Sequence, residues 1–278
     1  MKEYLAHEFS SEDKDLVSVI DELPLWSAPF GLSILNTIKM AKSLKVLDIG
    51  SGLGFPAIEI AQRLGDSSFV FGVDPWKQAN ERANLKILKY GLKNIKIIEG
   101  MAEKLPFENS FFNLIVSNNG INNVENVQTT FSECRRVSKP GAQFVFTMNL
   151  DGSMIEFYNI FKDELKKRNL FEAVKKMKGH IYHKRKPLNE MKELVTSYSF
   201  RIKEIKEDIF YIRFVDAASM FNHSFIKYWF LPSWKEVVEE KYHEQVFNSI
   251  EKRMNEASEI ENEIKLSIPF ATFDCERI

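Results

Sequence analysis

From residue 45 onward, short apolar runs alternate with amphipathic stretches. Residues 45–49, 69–73, 95–98, 112–116 and 143–147 are rich in Val, Ile, Leu and Phe and are too short for helices. They predict five strands. Between them, 56–64 predicts a helix, since Pro56 suits a first turn and Gly65 a terminus. A second helix is expected over 77–90, closed by Gly91, and a third over about 124–137. Lys139-Pro140-Gly141 reads as a turn. Strands alternating with helices at this spacing imply a mostly parallel sheet covered on both faces, with right-handed crossovers: an α/β, doubly wound fold.

The flanks follow other patterns. In residues 1–42, Leu16, Val17, Val19, Ile20 and Leu23 form one apolar stripe, and Ile34, Leu35, Ile38, Met40 and Ala41 another. A helical cap is expected there, broken around Pro24 and Pro29. After residue 150 the chain predicts a charged helix or helix pair over 153–178, a loop over 179–187 and a helix over 188–198. Strands are expected at 200–205 and 209–214, and aromatic-rich helices across 216–260. A closing strand is expected over 264–276, interrupted at Pro269. The division expected is a cap (1–42), a core (43–150) and a C-terminal part (151–278) that completes the sheet and adds a helical cover at about 216–260.

Composition narrows the function classes. The chain has 278 residues, 44% hydrophobic and 28% charged, as in ordinary globular proteins. The 38 basic and 39 acidic residues give a net charge of -1, which disfavours a nucleic-acid-coating role. Cys134 and Cys275 offer neither metal spacing nor a disulfide framework. No apolar run approaches the ~20 residues of a membrane span, and the polar start lacks a signal core. A cytoplasmic protein is expected.

The chemistry concentrates in Val46-Leu47-Asp48-Ile49-Gly50-Ser51-Gly52-Leu53-Gly54-Phe55-Pro56, at the exit of the first predicted strand. Such a bend brings backbone N–H groups and a helix N-terminus close to a ligand. Dinucleotide sites favour G-x-G-x-x-G/A with a small last residue. Here Gly50, Gly52 and Gly54 are two apart and bulky Phe55 follows. Asp48, two residues before the first glycine, suits a cationic amino group and would repel a pyrophosphate.

The D-x-G-x-G-x-G pattern resembles the first motif of class I S-adenosylmethionine-dependent methyltransferases. Four further stretches agree: Phe71-Gly-Val-Asp74-Pro75-Trp76, Ile97-Ile-Glu-Gly-Met101-Ala102-Glu103, Ser110 to Asn119, and Phe131 to Gly141. The resemblance covers about 45–150 and lies nearest the ubiquinone/menaquinone-type branch. It implies a Rossmann-like sheet of seven strands, S-adenosylmethionine as cofactor and S-adenosylhomocysteine as product. It also implies site roles. Asp48 would hold the cofactor's amino group, and Gly50, Ser51, Gly52 and Gly54 would line its methionine portion. Asp74, with Pro75 and Trp76, would take the ribose hydroxyls, and Met101, Ala102 and Glu103 would flank the adenine. Many relatives carry Asp where Met101 stands, so Glu103 or a backbone carbonyl would have to replace that contact.

The acceptor side is less defined. By analogy with the family, Trp26 and Phe30 would close over the methionine end, the alternative being that they pin the cap to the sheet. Asn118 is expected to contact cofactor or acceptor, and Asn119 the acceptor or the cap of the next helix. His180, Tyr182 and His183 lie in a basic stretch, with 14 Lys/Arg against 6 Asp/Glu across 162–206. Tyr182 is a candidate substrate contact, and His183 or His180 a candidate general base. The partner expected is a small-molecule methyl acceptor, with no membrane, and the charge balance disfavours nucleic acid. The sequence leaves open an RNA methyltransferase, a non-catalytic binder of the cofactor, and an NAD(P)-dependent oxidoreductase.

Overall fold

The computed structural model describes Leu5, residues 12–15, Ser18 and residues 25–278. The stripe of Leu16, Val17, Val19, Ile20 and Leu23 lies outside the described residues. The chain divides into two compact units. A sheet unit comprises Ser11–Leu150, Lys186–Asp208 and Phe270–Ile278, and a helical unit comprises Met1–Ser10, Asp151–Arg185 and Ile209–Pro269.

The expected doubly wound sheet is present. Strands β1 (Lys45–Ile49), β2 (Phe69–Asp74), β3 (Ile95–Glu99), β4 (Phe112–Asn118), β5 (Ser138–Asn149), β6 (Phe200–Phe214) and β7 (Ile264–Arg277) take the order β3-β2-β1-β4-β5-β7-β6. β1 pairs in parallel with β2 and β4, β2 with β3, and β4 with β5. β7 runs antiparallel to β5, from Gln143 opposite Glu276 to Asn149 opposite Phe270.

Side chains alternate across a strand, so the central strands feed two cores. On one face, Leu47, Ile49, Phe144 and Phe146 pack with Phe131 and Cys134 of α4 (Val127–Val137) and Met191 and Val195 of α7 (Leu188–Ser197). On the other, Val46, Leu114 and Val145 meet Ile34 and Leu35 of α1 (Ser27–Thr37). They also meet Ala57 and Ile60 of α2 (Ala57–Leu64) and Ala83 of α3 (Lys77–Lys89).

The helical unit contains α5 (Ile155–Lys167), α6 (Phe171–Lys184), α8 (Ala217–Asn222), a π-turn at Ile226–Phe230, α9 (Leu231–Glu236) and α10 (His243–Glu261). Its aromatics form a core. Phe157 stacks on buried Trp234 at 3.8 Å between ring centroids, and Trp234 Nε1 donates to Tyr158 Oη at 3.0 Å. The aromatic run across 221–234 therefore serves packing at Phe221 and Trp234, both fully buried.

Several expectations about elements change. α1 runs through Pro29 and β7 through Pro269, at both of which the sequence predicts a break. The stretches 200–205 and 209–214 form one strand, β6, because the polar residues between them stay extended. The turn at 139–141 falls inside β5, where the register with β4 breaks after Phe112 opposite Ser138. The loop expected over 179–187 is helical as far as Lys184. Gly179 costs a helix only about 1 kcal/mol, and buried Ala173, Val174 and Met177 hold that helix face in place. Among the described residues no helix is long and apolar enough to cross a membrane.

Candidate functional site

The bend between β1 and α2 has left-handed backbone at all three glycines, with φ of 73° at Gly50, 48° at Gly52 and 99° at Gly54. It is held from below. Gly50 N donates to Val73 O at 2.9 Å, and Gly54 N to Ser51 O at 2.8 Å. A Cβ at Gly52 would meet nothing within 4 Å. Gly52 is therefore glycine for its backbone conformation, and its flank is an open cradle.

Asp48 lies beneath the bend, fully buried. Its Oδ2 accepts from Ala57 N, the first residue of α2, at 3.1 Å, and its Oδ1 has no partner. Burial pushes its carboxyl well above the ordinary aspartate value. The Ala57 N–H opposes that shift and the nearby Asp74 charge adds to it. Ser51 Oγ is likewise buried and unpartnered. Buried polar atoms without partners are rare in folded proteins and call for an explanation. Two of them lie at one glycine bend: a carboxyl oxygen of Asp48 and the Ser51 hydroxyl, which can both donate and accept.

Asp74 ends β2 and faces the same bend. Its Oδ2 accepts from Gly52 N at 2.9 Å and its Oδ1 from Trp76 N at 2.8 Å. Burial raises its pKa, opposed by those two N–H groups. Each oxygen keeps a lone pair, so the carboxylate can still accept from a pair of hydroxyls. Asn80 Nδ2 donates to Asp74 O at 2.9 Å and Gly100 N to the same oxygen at 3.1 Å, joining Asp74 to the segment after β3. In that segment Met101 is exposed and Ala102 buried. Glu103 Oε1 accepts from Asn126 N at 3.0 Å, so this carboxylate braces the start of α4.

At the end of β4, Asn118 Nδ2 donates to Ser27 O at 3.2 Å, and Asn119 N donates to Thr147 Oγ1 at 3.0 Å. Asn119 Oδ1 accepts from Asn122 Nδ2, and its main-chain oxygen accepts from Asn123 Nδ2. The Asn cluster thus folds the turn after β4 on itself. Trp26 packs edge-on against Phe30 at 5.4 Å, and Phe30 against Phe270 at 4.9 Å. Phe30 is fully buried, which is the pinning alternative; Trp26 is half-buried.

The structure thus brings Asp48, Gly50, Ser51, Gly52, Gly54, Asp74, Trp76 and the 100–103 segment around one bend, with Asn118 at the adjoining strand end. His180, Tyr182 and His183 stand on α6, in the helical unit. His180 is pushed down to about 4 by burial and by Arg185, Lys184 and His183. It is neutral near pH 7 and a poor proton acceptor, since an effective general base titrates near the working pH. Among the described residues no cluster of His, Cys, Asp or Glu could hold a metal ion.

Several supports of the site carry no motif of their own. A Cβ at Gly120 would stand 2.6 Å from Ile49 O, so only glycine lets the turn after β4 lie on the bend. Arg136 of α4 donates to Leu105 O, Phe107 O, Asn109 Oδ1 and the Glu133 carboxylate, while Glu133 Oε2 accepts from Leu105 N at 2.8 Å. This clamp fixes the chain after β3. Only the asparagines before Gly120 and the adjacent basic pair Arg135-Arg136 would have signalled either in the sequence.

Residues 47–146 match the family model for a methyltransferase domain. The demethylmenaquinone methyltransferase of Geobacillus kaustophilus is 27% identical over 46% of this chain and 55% of its own length. The chain spans about half the length of the curated relatives it matches. Among solved structures, YcgJ of Bacillus subtilis superposes with a TM-score of 0.60 at 18% identity, covering 89% of this chain and 97% of that one. An S-adenosylmethionine-dependent methyltransferase of Aquifex aeolicus superposes with a TM-score of 0.53 at 17% identity, covering 69% and 91%. At these identities the structural likeness is one of fold. The glycine bend and strands β2 to β4 lie within the stretch that matches the methyltransferase domain model, so it is residues 47–146 that are similar to methyltransferase domains.

Proposed function

We propose that the chain is a cytoplasmic enzyme that moves the methyl group of S-adenosylmethionine to a small-molecule acceptor. The observation that carries this reading is the acid-led bend: two buried polar atoms without partners, at Asp48 and Ser51, beside an open cradle at Gly52. These features fit an amino-acid tail joined to a nucleoside. Bound there, the cofactor supplies an electrophilic methyl group on a sulfonium, open to in-line attack by an acceptor's electron pair.

The chain's own residues do the holding. Asp48 places a negative charge under the bend for a cationic amino group. Asp74, fixed by two N–H groups, offers its remaining lone pairs to two ribose hydroxyls. Met101 and Ala102 flank the base. Trp26, next to the Ser27 carbonyl that Asn118 holds, is placed to shield the methionine end. Holding reacting groups in line is worth effective molarities of about 10⁵–10⁸ M, so an acceptor that is already nucleophilic needs no general base. The match to demethylmenaquinone methyltransferases covers the cofactor half of the chain, so it supports the reaction class and leaves the acceptor to be found.

Isothermal titration with S-adenosylmethionine tests the reading. The wild type is expected to bind it and to ignore NAD and NADP, and Asp74→Asn to bind at least about tenfold more weakly, about 1.4 kcal/mol. Labelled methyl groups should then pass to a small molecule in a cell extract. Heat with NAD(P) alone, or unchanged affinity in Asp74→Asn, would overturn it.

A further inference from the structure

The helical unit contains a buried charged side chain with unmet hydrogen bonds, independent of the glycine bend. Arg185 follows α6 and is 3% exposed, yet its Nε and Nη1 have no hydrogen-bond partner. Its main chain is fixed, with N donating to Ile181 O at 2.8 Å. Its guanidinium carbon lies 5.1 Å from the centroid of the Tyr158 ring. That ring is itself fixed by the hydrogen bond from Trp234 Nε1. The position of Arg185 is therefore set by packing on an aromatic platform.

An arginine cannot shed its charge by deprotonating. A guanidinium buried with N–H groups unmet is costly unless an anion completes it. The surroundings add charge of the same sign. Lys184 and His183 stand beside it in sequence, and both, with Arg185, act electrostatically on His180 to disfavour a further positive charge. A planar fork of donors in a positive field is the arrangement that takes up carboxylate and phosphate oxygens.

We propose that Arg185 anchors a binding site in the helical unit for the oxyanion group, carboxylate or phosphate, of a small molecule. The site stands whether or not the chain transfers methyl groups.

Thermal unfolding of the full chain is followed while acetate or inorganic phosphate is titrated at constant ionic strength against chloride. A saturable rise in melting temperature is expected with at least one of them. Acetate alone would mark a carboxylate site, and phosphate alone a phosphate site. Arg185→Met should melt no lower than the wild type in chloride, because it removes an uncompensated buried charge. It should weaken the anion response at least about tenfold, the size of one lost charge-assisted hydrogen bond. Lys175→Gln, on an exposed position of the same helix, should keep the full response. Should Arg185→Met fail to fold, Arg185→Lys is read instead, with weakened but measurable saturation. Three results would overturn the proposal: no effect of either anion beyond chloride, an undiminished response in the folded Arg185 variant, or a response lost in Lys175→Gln.

Discussion

At the scale of single residues, Gly52 separates folding from binding. Alanine there would strain a left-handed backbone at a cost of about 1–2 kcal/mol, but it would strike no neighbour. Gly52→Ala should therefore fold, melt slightly lower, and lose S-adenosylmethionine affinity by more than its small stability loss explains. Calorimetric titration beside a melting curve reads both. Asp48 makes a prediction about protons. Its carboxyl is raised by burial, so the free protein holds a proton there to higher pH than an exposed aspartate does. A bound cation favours the ionised form and lowers that pKa. Between the bound and free values, binding must release a proton, and affinity must rise with pH across that window. Titration in two buffers of different ionisation enthalpy measures the release. Asp48→Asn should abolish it, and a release unchanged in that variant would place the titrating group elsewhere.

At the scale of elements, the clamp of Arg136 on the segment after β3 gives the next test. Arg136→Met removes donors from two backbone carbonyls and from Glu133, whose carboxyl Arg136 holds below its ordinary value. A stability loss of about 1–3 kcal/mol is expected. Hydrogen exchange should show faster amides over 103–110 and little change at β1. This clamp also marks where the sequence stops being legible. β1 to β4 could be read from their apolar runs because a buried parallel strand needs little else. Asp48, the three glycines and Asp74 could be read because their spacing within one strand–turn–helix unit is local. The Arg136 clamp and the close approach of Gly120 to Ile49 join elements distant in sequence, and no local pattern encodes such a meeting. The continuation of α6 through Gly179 was hidden for a related reason: burial of Met177 and its neighbours outweighs a modest local penalty.

At the scale of the whole molecule, the two units carry carboxylates whose pH effects on stability have opposite sign. In the sheet unit, Asp48 and Asp74 have raised pKa values. What they contribute to stability is complete below the unfolded-chain pKa and is lost as pH rises through the folded values. In the helical unit, Glu164 of α5 behaves the other way. Burial pushes its pKa up, but hydrogen bonds from Ser249, Arg168, Lys167 and Arg253 win and hold it down to about 2. Its contribution is complete above the ordinary glutamate value of 4.5 and is lost as pH falls from there toward 2. Arg253 belongs to α10, 3.0 Å from Glu164 Oε1, so this carboxylate ties α5 to α10 within the unit. Glu164→Gln leaves the cations of that group without their counter-charge, and at pH 7 it should lower the urea midpoint. The gap between wild type and variant should then narrow steadily below pH 4.5, because acid removes from the wild type what the substitution has already removed. Urea titrations stepped from pH 7 to pH 3 read that gap. A gap constant across the range would mean that Glu164 acts through its shape and not its charge.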